Sequence, residues 1–229
     1  MAATGQQVIP INSPMVNAFI IRGQRCIIVD TGFPGYETKI LKALDVNSIK
    51  PAEVSLIVLT HGHHDHFGGL AAVKEKTGAQ VAVHKDDAGG VRTGVNPPLT
   101  ATNSRGRTMI SLMKFLKMPP IKGVVPDVLI DGELDLSKYG VTGKVVPTPG
   151  HTHGSVSVVL DDGTAFIGDL IFGGYVRQKS PGMPPFGYDK QVILSSIQKV
   201  LDAKPKIIYA GHGGPFTAES VQRKFFKKT

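Results

Sequence analysis

Residues 60–69 read THGHHDHFGG, which places His61, His63, Asp65 and His66 within six residues. Core packing asks for no such cluster. Imidazole nitrogens together with a carboxylate are the donor set of zinc and similar transition metals. Residues two apart on extended backbone project to the same side, so His61 and His63 can aim at one point, and Gly62 leaves room for close approach. Four donors on one turn exceed what a single ion with an open coordination position needs, so the stretch points to two metals. A surface polyhistidine loop would explain neither Asp65 nor the apolar strand in front of it.

These donors need elements to position them. Residues 54–59 (VSLIVL) read as a buried strand and residues 67–73 (FGGLAAV) as the start of a helix, so the histidines are expected at a strand-to-helix turn. Upstream, residues 15–21 and 26–30 read as two strands joined at Arg22-Gly23-Gln24, and residues 36–44 as a short amphipathic helix. Asp30 ends the second strand. It is read as capping a turn in preference to orienting a ligand histidine from behind, and it is not counted as a ligand. Downstream, residues 78–84 return as a strand ending in His84, which is read as a satisfied surface residue at a strand edge.

The later strands repeat the arrangement. Residues 143–148 lead into Pro149-Gly150-His151-Thr152-His153-Gly154, and a hairpin turning at Asp161-Asp162-Gly163 delivers Gly168-Asp169. Residues 189–204 read as an amphipathic helix capped by Asp189, residues 206–210 as a strand ending in Gly211-His212, and residues 217–228 as a last helix. Four strands therefore end in loops that carry candidate donors.

With 229 residues, the chain is expected to form one large domain over residues 1–229. The net charge of +8 permits a nucleic-acid partner but equally an anionic small substrate. Most of the excess is local: residues 88–126 hold Arg92, Arg105, Arg107, Lys114, Lys117 and Lys122 and no acidic residue, and read as a basic, lid-like insertion. Its Met109, Leu112, Met113, Leu116 stripe is read as core or homodimer contact ahead of a substrate wall. Cys26 reads as a buried core thiol, which suits a reducing cytoplasm. The N-terminal residues lack the pattern of a signal peptide, and no apolar run approaches membrane-span length, so no membrane partner is expected.

Together these motifs resemble those of the metallo-β-lactamase fold superfamily. HxHxDH stands at His61 to His66, PGH at Pro149 to His151, GD at Gly168 to Asp169, and GH at Gly211 to His212. The resemblance implies an α/β fold built as a four-layer αβ/βα sandwich with the site at one edge. It implies His61, His63 and His151 as ligands of a first metal, Asp65, His66 and His212 as ligands of a second, and Asp169 as the bridge. His64 and His153 fall at variable motif positions and are not expected to be ligands. The loop after Asp169 is similar to that of small glyoxalase II-like and lactonase-like hydrolases. Only 17 residues follow His212, so no counterpart to the helical substrate domain of glyoxalase II is expected.

The resemblance implies two Zn2+ ions, with iron or manganese as alternatives, and a metal-bridging hydroxide that attacks a small ester, thioester or lactone. Asp65 would orient the nucleophile. Tyr175 is the candidate oxyanion donor, and Arg177, Lys179 and Tyr188 the candidate substrate contacts. Three other reactions use the same scaffold. A β-lactamase generally lacks the bridging carboxylate that Asp169 supplies, and a phosphodiesterase or nuclease would be expected to carry an RNA-processing motif, which is not seen. The third is a mononuclear iron persulfide dioxygenase. A noncatalytic binding module would not need all seven donors.

Overall fold

The computed structural model describes residues 5–113, 115, 119–174 and 180–226. The apolar, β-branched runs form two six-stranded sheets. In the first, β1 (Gln7–Ile11), β2 (Ala18–Arg22), β3 (Cys26–Val29), β4 (Val54–Val58), β5 (Gln80–His84) and β6 (Val128–Ile130) lie in sequence order. Its first three strands are antiparallel and β3 to β6 are parallel. The second sheet contains β7 (Leu134–Asp135), β8 (Gly143–Pro147), β9 (Val156–Leu160), β10 (Thr164–Phe166), β11 (Ile207–Tyr209) and β12 (Phe216–Thr217), also in order. Only its β10–β11 pair is parallel.

Helices cover the outer faces. They are α1 (Glu37–Val46), α2 (His64–Phe67), α3 (Leu70–Thr77), α4 (Ala88–Thr93), α5 (Ser104–Met113), α6 (Lys190–Asp202) and α7 (Ala218–Phe225). Alternate residues of each central strand face opposite ways. Ile20, Ile28 and Ile57 pack against Ile40, Leu44, Leu70 and Val73 of α1 and α3, whereas Phe19, Ile21, Leu56 and Val58 meet Val145, Val158 and Phe166 of the second sheet. Ala165 and Ile208 turn away from that interface toward Ile193, Ile197 and Val221 of α6 and α7. Burial on both faces is why these strands read as continuous apolar runs. The result is the expected four-layer sandwich.

Several local differences from the sequence reading have physical causes. β1 lies ahead of the strands read from the sequence; it contains Pro10 and sits at the sheet edge, pairing with β2, where a missing N–H is tolerated. The helical turn after β4 begins at His64, inside the donor motif, because His63 takes the extended conformation of a cap residue. α5 starts at Ser104 and is described to Met113, and Gly106 is its one buried residue. In its apolar stripe Leu112 is 63% exposed, and Met109 and Met113 are half-buried. Lys114, Leu116 and Lys117 lie outside the described residues. Asp189 caps α6 as expected, accepting from Gln191 N at 2.7 Å and Val192 N at 3.2 Å. Cys26 is buried, and burial pushes its thiol pKa up. Among the described residues no helix is long and apolar enough to cross a membrane.

Candidate metal centre

Strand ends from both sheets bring the candidate donors to one place. β4 leads into His61 and His63, and α2 carries Asp65 and His66. His151 follows β8, Asp169 follows β10, and His212 follows β11. Three sets of donor atoms each lie within 4.8 Å of one another: His61, His63 and His151; His61, His66 and Asp169; and Asp65, His66 and His212. All seven expected donors belong to at least one set. His64 and His153 belong to none. His64 N donates to Asn96 Oδ1 at 2.9 Å and its ring meets Phe67 edge-on, while the His153 ring stacks on Tyr188 at 4.0 Å.

Backbone and side-chain acceptors fix how the histidines present themselves. His151 Nδ1 donates to the Phe186 carbonyl at 3.0 Å, and His212 Nδ1 donates to the Met15 carbonyl. His66 Nδ1 donates to Asp30 Oδ2 at 2.8 Å. Thr60 Oγ1 donates to the same carboxylate oxygen at 2.7 Å and lies 3.1 Å from His61 Nδ1, which donates to it in turn. Each of these four rings therefore turns Nε2 toward the site. His63 faces the site through Nδ1, 2.9 Å from His151 Nε2.

Asp30 thus corrects the sequence reading, because its carboxylate receives a candidate ligand instead of merely capping a turn. Asn17, not singled out in the sequence, anchors the His212 loop by donating through Nδ2 to Ala210 O and Gly213 O, each at 3.0 Å. His84 is buried, contrary to the surface reading, and its Nδ1 accepts from Asp86 N at 3.3 Å. Tyr188 joins the site's margin through its backbone, donating to Gly150 O at 2.9 Å, and its side chain is partly exposed. Tyr175, Arg177 and Lys179 lie outside the described residues. The basic insertion adjoins the His151 side of the site: Thr102 N donates to Pro185 O at 2.9 Å, and Gly187 N to Thr100 O at 2.8 Å.

A divalent cation fits this donor set. His61 Nε2, His66 Nε2 and Asp169 Oδ1 are buried without a hydrogen-bond partner, as is His64 Nε2 outside the donor sets. Buried polar atoms left unpaired are costly, and three such atoms converging on one place are what an ion would satisfy. Electrostatics divides the histidines. Burial, helped by the neighbouring imidazoles, holds His61 well below its ordinary value and lowers His63 to about 3. Burial also lowers His151. These three rings are neutral candidate ligands at pH 7. Burial acts in the same sense on His66, but the carboxylates of Asp30, Asp169 and Asp65 outweigh it and raise that ring's pKa well above the usual value. Asp169 and Asp65 likewise overcome burial at His212 and raise it to about 10. Burial opposes ionisation of Asp65 and Asp169, yet His66 and His212 hold both below the usual carboxylate range.

Fold and donor set together define a metallo-hydrolase scaffold. The chain belongs to the metallo-beta-lactamase superfamily, whose sequence profile matches residues 13–212. It is 31% identical over 198 residues to a beta-lactamase-like protein 2 homolog of Drosophila melanogaster, covering 83% of this chain and 56% of that relative, so it spans little more than half the fly protein. It is 29% identical over 210 residues to the probable metallo-hydrolase YqgX of Bacillus subtilis, covering 89% and 88% of the two chains. Among solved structures, the BLEG-1 B3 metallo-beta-lactamase superposes with a TM-score of 0.71 at 26% identity, covering 96% of this chain and 97% of that one.

Proposed function

We propose that this protein is a dinuclear metal-dependent hydrolase of a small ester, thioester or lactone, with zinc as the ion that suits its donors. One observation carries the reading: Asp169 faces both donor groups. Its Oδ1 lies 3.4 Å from His66 Nε2, and its Oδ2 lies 3.2 Å from His212 Nε2 and 3.7 Å from His151 Nε2. His61, His63 and His151 would hold one ion, Asp65, His66 and His212 the other, with Asp169 shared. Bound there, the ions supply Lewis acidity and a water acidic enough to attack near neutral pH.

The chain's own groups do the rest. Asp65 is held ionised, and its Oδ2 stands 3.2 Å from His212 Nε2 with part of the carboxylate open to solvent. That oxygen is placed to orient the attacking water toward the scissile carbonyl. Arg92, Arg105, Arg107 and Lys122 are exposed on the insertion beside the site, and we assign them to attracting an anionic substrate. Tyr175, Arg177 and Lys179 are assigned to substrate on the sequence alone, and Tyr188 to the substrate wall together with His153. The single buried cysteine supports a cytoplasmic location.

A second reading, β-lactam hydrolysis, is favoured by the likeness to the B3 enzyme. A hydrolysis screen decides between them. Zinc-reconstituted protein is assayed on thioesters, lactones, β-lactams and phosphodiesters, with Asp169→Ala as control. Turnover of thioesters or lactones that is lost in Asp169→Ala is the expected result; undiminished activity in that variant overturns the dinuclear mechanism.

A further inference from the structure

The turn after β5 carries a buried carboxylate that the mechanism above does not use. Asp87 is 6% exposed, and its backbone N–H donates to His84 O at 3.0 Å. Its Oδ2 accepts from Gly62 N at 2.7 Å and from Thr152 Oγ1 at 2.7 Å, while its Oδ1 accepts from Gly154 N at 3.0 Å. Gly62 separates His61 from His63, and Thr152 follows His151. One side chain therefore ties together the two loops that hold all three histidines of the first donor group. Those loops leave different sheets, β4 in one and β8 in the other.

The surrounding residues are shaped to this carboxylate. A Cβ on Gly154 would lie 2.6 Å from both Asp87 Oδ1 and Cγ, and one on Gly62 would lie 3.2 Å from Asp87 Cβ. The glycine of HTHG thus makes room for Asp87, and that of HGH sits in tight contact with it. Thr152 is itself held by Ser155, whose Oγ accepts from Thr152 N at 2.9 Å and lies 2.8 Å from Thr152 Oγ1. A buried carboxylate is costly to desolvate, and this one is satisfied by two backbone N–H groups and a hydroxyl.

We propose that Asp87 is the positioning residue of the His61, His63, His151 group, setting its metal affinity by clamping the two loops in register. This rests on the reading of that group as a metal site, but its test is binding of zinc alone and is decided without any substrate. A failure of the hydrolase reading therefore does not carry over to it. Removing groups that orient metal ligands costs about 10–100-fold in affinity. In a His212→Ala background, where the first group alone is complete, adding Asp87→Asn should lower zinc affinity by about 10–100-fold in calorimetric titration. In a His151→Ala background, the same change should leave zinc binding at the other group unaltered. Thr152→Val, which removes one arm of the clamp, should give a smaller loss confined to the first group, and Asp87→Glu should restore part of the affinity. Equal losses in both backgrounds, tracking a fall in the melting temperature of the metal-free protein, would mark a merely structural role and overturn the proposal. Unchanged affinity in Asp87→Asn and Thr152→Val would overturn it as well.

Discussion

His66 Nδ1 donates to Asp30 Oδ2 across 2.8 Å, with both residues buried. The same carboxylate accepts from Thr60 N at 2.8 Å and from Thr60 Oγ1 at 2.7 Å, so it supports His66 directly and His61 through Thr60. Asp30 does this from a left-handed backbone, with φ of 59°. That conformation is uncommon outside glycine, and the three donors hold it in place.

Asp30→Asn tests this arrangement. Asparagine tolerates the left-handed conformation, so the turn survives, but its Nδ2 cannot accept from His66 or Thr60. Zinc affinity in a calorimetric titration of the metal-free protein should fall by about 10–100-fold. A variant that binds zinc as tightly as wild type would show that the ring orients itself.

Gly211 is a second point of control. Its backbone is not left-handed, so alanine is conformationally allowed, yet a Cβ there would lie 2.5 Å from Asp169 Oδ1 and 2.6 Å from His66 Cε1. Gly211→Ala should displace the Asp169 carboxylate, destabilise the protein by about 1–3 kcal/mol through overpacking, and weaken zinc binding. Thermal melts with and without zinc measure both effects. Melts and zinc affinity indistinguishable from wild type would mean that the site yields freely.

The opposite shifts of the histidines set the pH response of the metal-free protein. Between about pH 3 and the ordinary imidazole value near 6.5, the unfolded chain binds a proton at His63 that the folded chain refuses. Stability therefore falls as pH drops through that window. His212 behaves in reverse: the folded chain keeps its proton up to about pH 10 while the unfolded chain releases it near 6.5, so stability falls as pH rises between those values. The melting temperature in the presence of a chelator should peak near neutrality. Zinc, by displacing the His212 proton, should abolish the alkaline decline. A melting temperature that changes in one direction only, from acid to alkaline pH, contradicts the assignment.

What the sequence made legible was whatever is local or periodic. VSLIVL reads as a buried strand because both of its faces are covered, and Asp161-Asp162-Gly163 reads as a hairpin turn because its residues suit one. The donors were legible because a dense cluster at His61 to His66 recurs as single donors at later strand ends. The supporting shell was not. Asp30 meets His66 from 36 residues away, Asn17 reaches Ala210 across 193 residues, and Asp87 meets Thr152 across 65. Asp30 and Asp87 sit where Asp is ordinary turn chemistry, and Asn17 sits inside a stretch that reads as strand. Only the packing of two sheets reveals what these side chains hold.

The basic insertion makes the last prediction. Arg92, Arg105, Arg107 and Lys122 are exposed, so replacing all four with glutamine should disturb the fold little. Their chain segment is bonded to the loop whose Phe186 carbonyl holds His151, which places their charge beside the donor edge. A field from exposed charges acts on the encounter and is screened by salt. For an anionic ester, kcat/KM should therefore drop roughly tenfold in the quadruple variant, at the low end of electrostatic steering, while a neutral ester of the same acyl group is turned over unchanged. Wild type should lose the same advantage as ionic strength rises, and the variant should respond less to salt. Equal turnover of both esters by wild type and variant at low salt would remove substrate attraction from the insertion's role.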